Sequence, residues 1–198
     1  VKHANPCGVA IAKNSADAFI LAKSADPKSA FGGVIAFNSK LDERAAEYIK
    51  DYFFEVVIAP TISSEAETLL REKHELRLLC SSQLFSKRRK VGSFDIKQIL
   101  GGYLIQVNKE KETNLKLEVV TKRQPSDKEF TDLMFAWKIS KWVKSNAIVF
   151  CKNNKTLGIG AGQMSRIDAS KIAELKAKEF SHSPVGSAVA YDAFYPFR

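Results

Sequence analysis

The first eight residues, Val1-Lys2-His3-Ala4-Asn5-Pro6-Cys7-Gly8, gather a cation, an imidazole, an amide and a thiol with two backbone punctuators. A group that titrates near neutral pH beside a permanent cation suits proton transfer next to developing negative charge, so Lys2 and His3 are the first candidates for chemistry. A surface loop is the commoner setting for such a pair taken alone. Neighbours in a regular strand point to opposite faces. If both serve one site the backbone must be irregular, and Asn5-Pro6 with Gly8 supplies a reason for it.

Other stretches carry chemistry of a similar kind. In "DPKSAFGGVIAFN", Asp26 to Asn38, a glycine pair precedes an apolar run, which fits either close approach of backbone to a ligand or a tight turn. In "GIGAGQMSRIDA", Gly158 to Ala169, a glycine-rich strand end opens onto a helix with Ser165 and Arg166 in its first turn. Backbone N–H groups and a guanidinium there can hold an anion, although the spacing is neither GxGxxG nor GxxxxGK[ST]. Asn146 reads as a capping or a ligand-reading amide, and Glu55 as a strand-edge acid or a functional one. The basic run Lys87 to Lys90 lacks the interleaved aromatics of a stacking platform and reads as a solvated loop. His3 and Cys7 lack further ligands at zinc spacing.

Alternating elements must position these groups. Helical patterns at Ser15–Ala25, Leu41–Phe53 and Ser64–Lys73 alternate with strand-like runs at Gly32–Phe37, Glu55–Pro60 and Leu76–Cys80. That alternation predicts an α/β domain. From Ser81 to Gln124 the pattern gives way to an irregular connection with two or three strands, among them Gly101–Val107 and Leu115–Thr121. Beyond it Ser126 and Glu129 have capping-box spacing, and Phe130, Leu133, Met134 and Trp137 repeat as one face of a helix. Paired strands around a turn at Asn153 to Lys155, a helix from Ser165 to Phe180 and a strand leading into the aromatic "DAFYPFR" complete the pattern. Two α/β halves sharing an element order are expected, residues 1–124 with the connection at 81–124, and residues 125–198.

The chain has 198 residues, 45% of them hydrophobic, enough for a real core. Its net charge of +9 favours anionic partners, whether phosphates, carboxylates or nucleic acid. Neither a membrane-length apolar run nor a leader pattern is present in it, and Cys7, Cys80 and Cys151 form no CxxC; a soluble protein of the reducing cytoplasm is expected. Motif-like residues at the very start suggest a piece of a longer chain.

Taken in order, "KHANPCG", "DPKSAFGGVIAFN", "EVVIAP", "SNAIVF", "GIGAGQMSRIDA" and "DAFYPFR" closely resemble the 5-aminoimidazole-4-carboxamide ribonucleotide (AICAR) transformylase domain of the bifunctional purine-biosynthesis family. The resemblance runs from Val1 to Arg198. It implies two cytidine-deaminase-like α/β/α subdomains of three layers without zinc, and formyl transfer from 10-formyltetrahydrofolate, a co-substrate, to AICAR. It implies His3 as proton acceptor and Lys2 as transition-state stabiliser. Gly32, Glu55, Asn146, Arg166 and Phe194 match positions lining the AICAR site, and Ile167 one touching the folate; some members carry Asp where Glu55 stands. It further implies a homodimer with the site near its interface, and neither a nucleic-acid nor a membrane partner. The family's upstream segment, its C-terminal continuation and its cyclohydrolase domain fall outside this sequence, so ring closure is not assigned to it. Two other readings stand beside this one: a non-catalytic fragment retaining substrate or dimer contacts, and a basic nucleic-acid-binding module, whose binding would weaken steeply with salt and ignore AICAR.

Overall fold

The structure is a computed structural model that describes residues 1–83, 94–107 and 117–193. The chain forms two compact units, one made of Val1–Ser82 with Pro125–Arg198, the other of Gln83–Gln124. Lys87 to Lys90 and Phe194 lie outside the described residues.

In the first unit, the N-terminal part carries α1 (Ser15–Lys23), α2 (Pro27–Ala30), β1 (Val34–Ala36), α3 (Glu43–Lys50), β2 (Val56–Ala59), α4 (Ser64–Arg71) and β3 (Arg77–Cys80). The three strands are parallel in the order β1-β2-β3, with Val34 opposite Val56 and Val56 opposite Arg77. Parallel neighbours require crossovers, which α3 and α4 supply. Each helix starts at a side-chain cap: Asn14, Asp26, Asp42 and Ser63 accept from backbone N–H groups three residues on. Phe19, Leu41, Ile49, Phe54, Val57 and Leu70 fill the core between them.

The second unit contains β4 (Phe94–Ile99) and β5 (Gly102–Val107), an antiparallel hairpin whose tight end holds Gly101 at φ +83. Leu117 to Val120 form no strand, contrary to the expectation for Leu115–Thr121. They are exposed, and among the described residues no strand pairs with them.

The C-terminal part of the first unit comprises α5 (Asp127–Ser140), β6 (Ile148–Lys152), β7 (Lys155–Gly160), α6 (Arg166–Glu179) and β8 (Ala188–Tyr191). Its strands are antiparallel in the order β7-β6-β8, so the two parts share α/β composition but not topology. Alternation along β6 separates its neighbours. Val149 and Cys151 pack with Phe135, Ala136 and Ile139 of α5, whereas Ile148 packs with Ala169 and Ala173 of α6. This half is therefore a helix–sheet–helix sandwich.

Ser126 and Glu129 make the expected capping box at the start of α5. The stripe that betrays this helix in the sequence is not the one it buries. Phe130 and Trp137 remain 42% and 39% exposed, while Asp132, Phe135, Ala136, Ile139 and Ser140 turn inward at the same helical spacing. The physical reason is Asp132. Its carboxylate accepts from the N–H groups of Asn153 (2.9 Å) and Asn154 (2.8 Å), the two left-handed residues of the β6–β7 turn. Satisfying those donors orients the helix.

Several contacts join the parallel and antiparallel parts. Val9 to Ile11 run beside β7: Thr156 N donates to Val9 O (2.9 Å), Ile11 N to Asn154 O (2.9 Å), and Val9 N to the buried Thr156 Oγ1 (3.0 Å). Elsewhere Lys176 of α6 binds Asp26 and donates to Ser29 Oγ (3.1 Å) at the start of α2, and His182 Nε2 meets Ser24 O at 2.8 Å. Burial opposes the charge on Asp26, yet its bonds to Lys176 and Ser29 outweigh that and hold its pKa below the usual carboxylate range.

Helix α6 lies against β7 through Ala169, Ala173 and Ala177, all fully buried. A Cβ on Gly158 would sit 2.0 Å from Ala173 O, and one on Gly160 1.8 Å from Ala169 O. Gly160→Ala is expected to lower unfolding free energy by about 1–3 kcal/mol through overpacking, read as a drop in the urea midpoint. Gly102→Ala, around which nothing lies within 4 Å, is the control. An unchanged midpoint for Gly160→Ala would contradict the close contact.

Candidate active site

The irregular backbone expected at the N-terminus is present, and its source is a turn rather than Asn5-Pro6. His3 (φ 51) and Ala4 (φ 61) both adopt the left-handed conformation. Paired bonds from Lys2 N to Asn5 O and Asn5 N to Lys2 O, each 2.9 Å, close the turn. Two consecutive non-glycine residues in this region cost about 1–2 kcal/mol each. Strain of this kind persists where surrounding contacts hold it, and it concentrates at functional sites. Here the contacts are a bond from Val34 N to Val1 O (2.8 Å) on one side and one from Lys144 N to Asn5 Oδ1 (2.9 Å) on the other.

On the first side lie Lys2, Gly32 and Glu55. Lys2 Nζ donates to Phe31 O at 2.7 Å and would lie 3.9 Å from a Cβ added to Gly32. Gly32 is itself left-handed (φ +66), and its N–H donates to Phe53 O (3.0 Å). Gly33 admits no Cβ, since Val1 O and Ala30 O would both be 2.9 Å away. The glycine pair thus makes a tight turn beneath the incoming terminus. Glu55 follows two residues beyond Phe53, and both line an open cleft of about 400 Å³ with His74, Glu75 and Arg77.

On the second side, Asn146 and Arg166 converge. Asn146 Nδ2 donates to Gln163 O (2.7 Å) and Met164 O (3.0 Å), and the Ser145–Asn146 peptide is cis. Arg166 opens α6 after Ser165, whose side chain accepts from Asp168 N (3.4 Å). Its guanidinium, on a side chain 11% exposed, donates to Asp192 Oδ1 at 3.1 Å. Ile167 follows on the exposed face of the helix.

The glycine-rich approach to Arg166 has a packing role of its own. Gly158 and Gly160 are required by the packing of α6, and the N–H of Gly162 (φ +69) already donates to Lys144 O (2.8 Å).

Sequence reasoning missed Asp192. Its carboxylate binds Ser145 Oγ and accepts from Ala147 N (3.0 Å) as well as from Arg166. An acid directly after a strand, in the same chain as a helix-initiating Ser-Arg, was the available signal. Asn5 and Lys144, which tie the strained turn to this cluster, had none beyond their polarity.

Burial works against a charged Asp192, but the bonds from Ser145, the Ala147 N–H and Arg166 lower its pKa from an ordinary 3.8 to about 2. Burial, reinforced by Asp132, pushes the Cys151 thiol far above its usual range, so it stays protonated and inert. Among the described residues no three His, Cys, Asp or Glu side chains gather as a metal site would require, and no helix is long and apolar enough to cross a membrane.

The fold is mixed α/β, and the described candidate residues lie on either side of one strained turn. The chain belongs to the AICARFT/IMPCHase bienzyme family, which it matches over residues 1–176. That family is an enzyme family of purine biosynthesis. The match covers every candidate residue named from sequence except Phe194.

Because the Asp192 pKa is depressed on folding, its contribution to stability is complete above about pH 4 and is lost as pH falls toward 2. Unfolding free energy measured between pH 5 and 2 is expected to fall less steeply in Asp192→Asn than in the parent. Identical slopes would contradict the depressed pKa.

Proposed function

We propose that this chain carries the formyl-transfer activity, moving the formyl group of 10-formyltetrahydrofolate to the 5-amino nitrogen of AICAR. The observation that carries the reading is the family match over a stretch that includes the strained Lys2–Asn5 turn, Asn146 and Arg166. An amine conjugated with a neighbouring carboxamide is a weak nucleophile. It needs a base within reach and a cation where the tetrahedral oxyanion develops.

In this mechanism the 5-amino nitrogen bonds to the formyl carbon, the carbonyl oxygen becomes an oxyanion, and the bond from that carbon to N10 of the folate then breaks. The amine gives up a proton to His3, and N10 of the leaving tetrahydrofolate gains one. Lys2, aimed by its bond to Phe31 O, stabilises the oxyanion. Arg166 and Asn146 hold the ribonucleotide, with Gly32, Glu55 and Phe194 completing its site, and Ile167 lies toward the folate. No metal has a part in this chemistry. We further propose that the protein works in the cytoplasm as a homodimer with the site near its interface.

The test is kinetic. In the full-length protein, His3→Ala is expected to reduce kcat for formyl transfer by on the order of 10²–10⁴-fold, with AICAR affinity retained. A kcat equal to that of the parent would overturn the role assigned to His3.

A further inference from the structure

Two residues assigned to the ribonucleotide, Asn146 and Arg166, come from separate elements, yet one carboxylate joins them. Oδ1 of Asp192 accepts from Ala147 N and from Arg166 Nη2, and Oδ2 binds the Ser145 hydroxyl. Ser145 and Ala147 flank Asn146, so the carboxylate grips that loop on both sides. The Asn146 side chain then reaches Gln163 O and Met164 O, in the segment that leads into α6 and Arg166. The circuit closes on itself.

An exposed ion pair would matter little here, because solvent screens it and its side chains keep their freedom. This one is different in kind. The Asp192 and Arg166 side chains are only 22% and 11% exposed, and the carboxylate serves three donors at once. An arginine side chain has many rotamers to lose, and a guanidinium already held in one orientation loses less of that freedom on meeting a phosphate or ribose.

We propose that Asp192 is a positioning residue of the ribonucleotide site, setting the Arg166 guanidinium and the Ser145–Ala147 loop, and through it Asn146, in the arrangement that accepts the anionic substrate. This rests on the formyltransferase reading above. Asp192 acts through its neighbours, and no contact with the reacting atoms is required of it.

The test compares Asp192→Ala and Asp192→Asn with the parent in the full-length protein, using AICAR as the probe. Asp192→Ala is expected to raise KM and Kd for AICAR on the order of 10- to 100-fold, with kcat and the folate KM changed less than about threefold. Asp192→Asn keeps an acceptor for the Ala147 N–H but loses the charge facing Arg166. It is expected to weaken AICAR binding while the amide of Ala147 keeps its slow hydrogen exchange, which Asp192→Ala abolishes. Should the alanine variant fail to fold, the asparagine variant decides.

An AICAR KM unchanged in both variants overturns the proposal. So does a loss confined to kcat per total protein with KM unmoved, the mark of a merely structural role. A parent protein that binds AICAR without transferring formyl overturns the formyltransferase reading, and the ratio of Kd values then still decides the role of Asp192. Failure of the parent to bind AICAR overturns both.

Discussion

The contact between α6 and β7 is the constraint on which the site depends. Helix and sheet approach until the carbonyls of Ala169 and Ala173 occupy the space where side chains at 160 and 158 would begin. The closeness is made possible by small residues on both surfaces, three alanines on the helix and two glycines on the strand. It fixes the helix axis tightly enough for its two ends to do different work. The first residue, Arg166, is delivered to Asp192, and three turns further on Lys176 is delivered to Asp26 in the other half of the unit. A looser contact would let both ends wander.

The N-terminal turn meets a second constraint, because it must satisfy attachments on either side of itself. Val1 pairs with the start of β1, while Asn5 accepts from Lys144 beside the Arg166 cluster. Between those anchors lie Lys2, His3 and Ala4, and the last two reverse the chain in the left-handed conformation. The strain at His3 and Ala4 therefore has a mechanical origin in the distance between two halves of the protein. It places Lys2 toward Gly32 and leaves His3 at the apex, so the titratable and permanent charges are presented by one rigid reversal.

Local signals in the sequence were faithful guides to local structure. Ser126 and Glu129 announce α5 because a capping box is written in four consecutive residues, and Asn153-Asn154 announces its turn because asparagine tolerates the left-handed region. The orientation of α5 was not legible, since an apolar helix offers more than one stripe and the choice was made by Asp132 reaching for amides some twenty residues away. An irregular backbone near His3 was expected, but its form, a turn closed by Lys2 and Asn5 with His3 and Ala4 left-handed, was hidden because alanine carries no preference for that conformation. Likewise the residue types of the site were visible, Lys2, His3, Asn146 and Arg166 among them, while the carboxylate linking two of them looked like any acid after a strand.

The pairing of Val9 with Thr156 spans 147 positions and sets an order on the making of the molecule. The first residues leave the ribosome long before the strand they lie against exists, a wait of roughly 7–30 s at about 5–20 residues per second. During that interval β1, β2 and β3 with their helices can form their parallel sheet. Val9 to Ile11 must meanwhile stay unpaired, open to water or to a chaperone, whereas Val1 and Lys2 have their partners close by at Val34 and Phe31. Closing so long a loop comes late and slowly. The pairing of Val9 to Ile11 with β7 and the bond from Lys144 to Asn5 are thus among the last contacts of the unit to form.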